Sequence, residues 1–441
     1  MKNLQKLETT TQSMTTGVGG YIINSKHINV SKPEATNTAD IIEHAVAPGK
    51  ILTGRNIALY AMAAVAEDPE NPGMNHLAPH ATLINEGVIE IRISEMIEAY
   101  KNQIKETPES TEGTYRFIKC FAMAAGDDSL IINNGTIRII FDNDVECQTP
   151  FYGETILAGE NSTVINNGEI EVVGTGSFAI QARCIAVPHN NVTIVNNGKI
   201  NLNLERAATV RILATTGAGG SLVNHGEIKV NSTGRIMTIA RMKNTHLLNT
   251  GTVDIVSRAH FIVNKVSFLY QSYPLACTFY EHSIPNSEVV PPIVNTGKIT
   301  MHLEGSEEST PHAVMFGIYS EMVGLEKQDH RFENTGSISL SKSGPYDFLI
   351  AELGANVQSS KDFPYHIEIG EWHTTPRNFA QTHDLFATSS GRFDFKDTKL
   401  VLSSDCIDVK AEDLVFQKEE AKQRGDTLEL LNTDKLKVSF N

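Results

Sequence analysis

Two rows of charge in this sequence have residue types and spacings that could do chemistry. Carboxylates recur after one strand-like segment of several repeats: Glu95 and Glu98; Asp142, Asp144 and Glu146; Glu205; and Glu304, Glu307 and Glu308. In register they would line one edge of the molecule, where clustered oxygens can bind calcium. No loop has EF-hand or nonapeptide calcium-repeat spacing, so a solvated acidic edge is the plainer expectation. Cations form the second row, in FIKCFA, QARCIA, TVRILA, IARMKN and VNKVSF. They are Lys119, Arg183, Arg211, Arg241 and Lys265, each set between apolar residues. Facing outward, they would make a positive line fit for an anionic glycan or an acidic protein surface. The competing expectation is the ordinary polar face of a half-buried strand.

Hydrolytic or lyase chemistry on a polysaccharide needs paired carboxylates, or an arginine or lysine base with calcium. Asp127-Asp128 is the one adjacent Asp pair. Asn224-His225-Gly226 has the look of a catalytic His-Gly motif, but His225 falls at a variable repeat position that elsewhere holds Glu86, Asn134 or Thr250. Gly217-Ala-Gly219-Gly220 lacks the Lys-Ser/Thr of a phosphate loop, and there is no HExxH. His366 and His373 flank the single tryptophan, Trp372, and read as a terminal aromatic with surface histidines. Cys120, Cys147, Cys184, Cys277 and Cys406 are scattered, odd in number and without CxxC spacing, so they are expected to pack as small apolar residues. Nothing in these patterns calls for a cofactor or a metal.

The elements that would position these rows follow from a repeat. One phrase recurs eight times: two apolar residues, Asn, a variable residue, Gly, then alternating polar and apolar positions. It reads LINEGVIEI from Leu83, IINNGTIRI from Ile131, VINNGEIEV from Val164, IVNNGKINL from Ile194, LVNHGEIKV from Leu222, LLNTGTVDI from Leu247, IVNTGKITM from Ile293 and FENTGSISL from Phe332. A degenerate copy, IINSKHINV, starts at Ile22. The Asn is invariant among the eight: Asn85, Asn133, Asn166, Asn196, Asn224, Asn249, Asn295 and Asn334. Strands stack about 4.8 Å apart, a spacing at which amides hydrogen-bond up a ladder. The glycine suits a turn with positive φ. Two and four residues past it the chain is apolar, as at Ile170 and Val172, with Glu171 between. That is the period-two mark of a strand with one buried face.

The interval from Gly168 to Gly198 reads as three strands, 169–173, 178–187 and 192–196. Three strands per coil, paired in parallel with the next coil, make a single-stranded parallel β-helix of about nine to eleven rungs with capping ends. The general chirality of parallel connections makes it right-handed. The expected organisation is a cap with the first degenerate rung over 1–50, a β-helix over 51–370, and a C-terminal cap or small subdomain over 371–441. Insertions are expected at 94–113, with a short amphipathic helix, at 270–292, and at 304–311. A C-terminal helix is expected over Asp408 to Arg424, flanked by strands in TKLVL and TLELL.

This phrase resembles the β-helix repeats of bacterial autotransporter passengers and related pectin-lyase-like adhesins: an apolar pair, Asn-x-Gly-x-Ile, then a Gly/Ala-rich return strand. HAVMFGIYSEM from His312 and YRFIKCFAMAAGDD from Tyr115 match that return strand. The resemblance covers about residues 21–370 and implies architecture first. It implies a secreted or host-delivered binding protein second, with a protein or glycan partner. The alternative within the same architecture is a lyase or glycosidase acting on an anionic glycan. No membrane barrel or Sec-type signal peptide is read, so export by another route, or a cytoplasmic location, is the expectation.

The formal net charge of −15 argues against nucleic acid and anionic membranes as partners. No apolar run is long enough to span a bilayer. Insertions are where solenoids commonly carry function. Tyr270, Tyr273, Phe279 and Tyr280 in the aromatic, proline-rich insertion are therefore candidate contact residues alongside the cationic row.

Overall fold

The computed structural model describes residues 9–10, 14–29, 57–67, 75–92, 118–141, 151–174, 180–187, 190–204, 207–215, 219–232, 236–242, 245–257, 279–282, 293–304, 313–321, 331–334, 336–343, 347–353, 390–394, 399–402, 427–431 and 437–440. The chain divides into two compact units: Met1–Ala208 with Ile212–Gly217, and Thr209–Arg211 with Ala218–Asn441. Each is built from three parallel sheets wound into a β-helix.

In the first unit the strands that end at the invariant asparagine form one sheet. Its order is Tyr21–Asn24, Thr82–Asn85, Leu130–Asn133, Thr163–Asn166 and Thr193–Asn196. We call it the Asn sheet. The strands after the glycine form the Ile sheet: Thr9–Thr10, His27–Asn29, Val88–Arg92, Thr136–Phe141, Glu169–Gly174 and Lys199–Leu204. A return sheet holds Met14–Thr16, Ile57–Glu67, Ile118–Ala124, Phe151–Leu157 and Ile180–Val187. Asn75–Leu77 turns back antiparallel on Ile57–Glu67.

The second unit repeats the plan. Its Asn sheet includes Ser221–Asn224, His246–Asn249, Ile293–Asn295 and Arg331–Asn334, and its Ile sheet Glu227–Ser232, Thr252–Ser257, Lys298–Glu304 and Ser337–Ser343. Strands from beyond residue 370 join these sheets. Ser390–Asp394 pairs with Arg331–Asn334, Lys399–Leu402 pairs with Ser337–Ser343, and Thr427–Leu431 and Lys437–Phe440 add one strand more to each. At the other end, the degenerate copy from Ile22 is already paired with the copy from Leu83, residue for residue.

The interior follows from the alternation. Ile89, Ile137, Ile170 and Ile200 stack in one column, and Ile91, Ile139, Val172 and Leu202 in the next; all are buried. Burying each such side chain contributes about 1.5–3 kcal/mol. At the inner corner lies the ladder. Asn24 Nδ2 donates to Asn85 Oδ1, Asn85 to Asn133, Asn133 to Asn166 and Asn166 to Asn196, each at 2.8 Å. Asn24 closes its own end by accepting the Lys26 N–H at 2.9 Å. In the second unit Asn224 donates to Asn249 at 2.7 Å and Asn249 to Asn295 at 2.6 Å, and Asn295 is in register with Asn334.

The main chain of the same asparagines does as much. The carbonyl of Asn133 accepts the N–H of Asn167 at 2.7 Å and of Gly168 at 2.8 Å, and Asn85 and Asn166 do the same for the next rung. So tight a stack explains the glycine, and the explanation differs from the expectation of positive φ. Among the described glycines only Gly19, Gly219 and Gly220 have positive φ. A Cβ on Gly168 would instead overlap the carbonyl oxygen of Gly135 in the rung before. Left-handed backbone occurs at the other turn, between the return and Asn sheets. There it falls on His80 (60°), Asp128 (53°), Asn161 (55°) and Asn191 (56°), types that tolerate it better than branched residues do.

Three substitutions separate these roles. Asn133→Ala leaves the buried amides of Asn85 and Asn166 without their partner, and is expected to cost about 1–3 kcal/mol. Asn134→Ala, at the exposed neighbour, is expected to stay within about 0.5 kcal/mol. Gly168→Ala is expected to destabilise although its φ is ordinary, because the methyl meets fixed backbone. Urea unfolding followed by far-ultraviolet circular dichroism measures all three.

Candidate functional site

The cationic row is not one line. Lys119 lies on Ile118–Ala124 and Arg183 on Ile180–Val187, but the strand Phe151–Leu157 stands between them. Its FYGETIL sequence has a glycine and no cation, so it lacks the pattern of the cationic return strands. Register also separates the two cations. Lys119 shares a column with Ala58, Tyr152 and Gln181, whereas Arg183 shares one with Tyr60, Phe121 and Glu154. Two members of that second column, Tyr60 and Phe121, are 2% and 1% exposed. Burial pushes the Tyr60 phenol above its ordinary pKa. Arg211 lies on Ala207–Thr215. Arg241, on Ile236–Met242, is in register with Tyr280 on Phe279–His282, which in turn is in register with Tyr319. That register brings one proposed cation and one proposed aromatic into adjacent strands, with Phe279 next to Ala240. Lys265, Tyr270 and Tyr273 lie outside the described residues.

Of the acidic row, Glu304 ends the strand Lys298–Glu304. Glu95, Glu98, Asp142, Asp144, Glu146, Glu205, Glu307 and Glu308 lie outside the described residues, as do His366, Trp372, His373 and both expected helices. Among the described residues no group of three or more His, Cys, Asp and Glu is placed to hold a metal ion, and no helix is long and apolar enough to cross a membrane.

Asp127 and Asp128 have structural roles. Asp127 Oδ1 accepts the Glu160 N–H at 2.7 Å, and Asp128 is the left-handed residue of its turn, with its carboxylate 3.8 Å from His80 Nδ1. His225 sits in its repeat column with Nδ1 2.6 Å from Thr250 Oγ1. Both motifs are therefore accounted for by the way turns stack.

The described outward faces differ in chemistry. On the Ile sheet of the first unit one outward column, Glu90, Arg138 and Glu171, is charged and paired, whereas Val88, Ile140 and Val173 are aliphatic outward positions of the same sheet. Glu90 lies between Arg92 (2.9 Å) and Arg138 (3.8 Å), and Arg138 donates to Glu171 at 2.6 Å. In the second unit Lys229 pairs with Glu227 at 2.5 Å, a hydrogen bond that raises the Lys229 pKa.

The Asn sheet is different. Its outward positions are the second members of the apolar pairs: Ile23, Ile84, Ile132, Ile165 and Val195, in register and partly exposed. Val223, Leu248 and Val294 hold the same place in the second unit. In the first unit the column bordering the stripe on one side is Tyr21, Thr82, Leu130, Thr163 and Thr193, three of them threonines. On the other runs an exposed amide ladder, in which Asn167 donates to Asn134 at 2.9 Å and Asn197 to Asn167 at 2.8 Å. Lys and Arg are absent from these described columns of the first unit, and Glu86 is their one carboxylate. At the end of the stripe Tyr21 and Val18 are each 60% exposed and Ile23 39%. Contiguous outward apolar surface is a feature that interaction sites commonly share. The sequence carried its signal: a half-buried strand should be polar at this parity, yet seven of the eight copies are aliphatic, Glu333 alone excepted.

Asp128 supplies a direct check on the turn reading. Asp128→Gly is expected to be neutral or nearly so, since glycine adopts left-handed backbone freely, whereas Asp128→Val is expected to cost about 1–2 kcal/mol. Thermal unfolding of the two variants measures it; an equal loss in both would mean that the carboxylate itself is required.

Residues 103–261, a little over a third of the chain, match the family described as BigA third pectate lyase-like domain. No curated protein and no solved structure matches the chain. Together with the parallel sheets and the stacked asparagines, that match supports the resemblance to pectate-lyase-like β-helices drawn from the repeat.

Proposed function

We propose that this chain is a surface-exposed, adhesin-like β-helix that binds a protein or glycan partner without chemically converting it. One observation carries the reading: the uncharged aliphatic stripe on the outward face of the Asn sheet, in register over five strands of the first unit. On a chain of net charge −15, a stripe bordered by hydroxyls and amides offers apolar contact and neutral hydrogen-bonding groups together. The partner this favours is uncharged along its contact line. Similarity to a BigA pectate lyase-like domain is in keeping with a display scaffold, because β-helices present long faces on which binding or catalytic groups are set separately.

The test is binding of the purified chain to a glycan array and to immobilised protein extracts, followed by a turnover assay on any glycan that binds. Ile132→Lys and Ile165→Lys place charge on the stripe, and Lys229→Ala on the Ile sheet serves as the control. The expected result is binding reduced roughly tenfold or more, about 1.4 kcal/mol, by each stripe variant and unchanged by the control, with unfolding midpoints preserved. Cleavage of a bound glycan, or full binding by both stripe variants, would overturn the reading.

A further inference from the structure

In the copies that read Asn-Asn-Gly the two asparagines have separate chemical fates. The first of each pair, Asn133, Asn166 or Asn196, is fully buried in the ladder and is followed by another asparagine. The second, Asn134, Asn167 or Asn197, is exposed and is followed by glycine. These are the three Asn-Gly pairs of the sequence. Asn-Gly is the dipeptide in which a side-chain amide is attacked most readily by the next backbone nitrogen, because glycine presents no side chain in the way. The Gly nitrogen bonds to Asn Cγ, the Cγ–Nδ2 bond breaks, and ammonia leaves with the proton from the Gly nitrogen. Water then opens the resulting succinimide ring, giving aspartate or isoaspartate.

We propose that these three pairs are latent deamidation sites, held unreactive by the rung stack and released when rungs separate. The attacking nitrogen must first give up its proton. In each case that N–H is donated to the preceding rung: Gly135 to Asn85 O at 2.8 Å, Gly168 to Asn133 O at 2.8 Å and Gly198 to Asn166 O at 2.9 Å. The amides under attack are held too, since Asn134 and Asn167 accept, and Asn167 and Asn197 donate, in the exposed ladder. Ring closure also requires the Asn-Gly backbone to rotate. The turns leave no room for it, because even one methyl on Gly135, Gly168 or Gly198 would overlap the carbonyl below. Solvent exposure of the side chain is therefore not sufficient for reaction here; the backbone nitrogen is the protected partner.

The products would not restack as the amides do. Each conversion replaces a neutral ladder member by a carboxylate about 4.8 Å from its neighbours, where like charges oppose pairing. The isoaspartate product adds a methylene to the main chain of a turn that has no space for it. A prolonged opening of this part of the first unit would thus be recorded covalently and would hinder reclosure.

The experiment compares the full chain in native buffer and in unfolding urea at mildly alkaline pH. Proteolytic peptides covering the three sites are then quantified by mass spectrometry for replacement of NH2 by OH. The expected result is conversion at all three sites in urea and at least roughly tenfold slower conversion in the folded chain, since reaction then requires local opening. Equal rates in the two conditions, or no conversion in urea, would overturn the proposal. Asn133→Ala, which breaks the buried ladder beside Asn134 and Asn167, adds a local test. In native buffer it is expected to raise conversion at those two sites above that at Asn197. Equal conversion at all three in a folded variant would remove the stack as the cause. If the variant does not fold, the wild-type comparison still decides.

Discussion

The distance between rungs governs this molecule. Parallel strands stack at a spacing fixed by their backbone hydrogen bonds, about 4.8 Å, and every inward or turn residue must be one that repeats at that interval. At the inner corner the asparagine meets the requirement with both ends of the residue. Its side-chain amide donates to the next asparagine and accepts from the last, while its carbonyl takes two N–H groups of the following rung. An amide can donate and accept along one line without charge. A carboxylate or ammonium at that place would repel its own copies.

The same constraint sorts the remaining positions. Glycine follows because the turn past the asparagine lies so close to the turn before it that a side chain would strike a carbonyl. Column residues follow because an isoleucine over an isoleucine is buried against its own copy, and the branched side chain suits the extended backbone. At the second turn, where the chain enters the Asn sheet, the spacing is met differently. His80, Asp128, Asn161 and Asn191 take left-handed backbone there, and beneath them Ser162 Oγ accepts the Ser129 N–H at 3.0 Å. Identity of residue is demanded where side chains bond to their own copies, as at the asparagine, or where no side chain fits, as at the glycine. Elsewhere the demand is on size or on backbone freedom, and the sequence varies accordingly.

This difference explains what could be read in advance. The Asn sheet and the Ile sheet were legible because their residues answer to their own copies, so the phrase survives in eight places. The bare rung from Gly168 to Gly198 was read nearly strand for strand: Glu169–Gly174, Ile180–Val187 and Thr193–Asn196. Return strands were harder. Phe151–Leu157, Ile180–Val187 and Ala207–Thr215 share no phrase, only the capacity to run extended beside a neighbour, so FYGETIL passed unnoticed and the cationic row looked continuous. The late strands were hidden for a similar reason. Ser390–Asp394 and Thr427–Leu431 join the Asn sheet without the Asn-x-Gly turn that marks the earlier copies. The glycine was read as a turn residue for the wrong physical cause, since crowding from another rung cannot be seen from one rung alone.

The outward positions carry the least structural demand, and so they say most about use. On the Ile sheet one outward column, Glu90, Arg138 and Glu171, is charged and mutually paired, as a solvated face can be. On the Asn sheet nothing in the stacking requires Ile84, Ile132, Ile165 and Val195 to be aliphatic: the interior is already filled by Leu83, Ile131, Val164 and Ile194 from the same strands. A threonine there would serve the strand as well and water better. Aliphatic residues kept at one parity, beside a neutral amide ladder, are therefore a property of the surface and not of the fold. A solenoid that repeats its surface as faithfully as its core presents a line of equivalent outward positions.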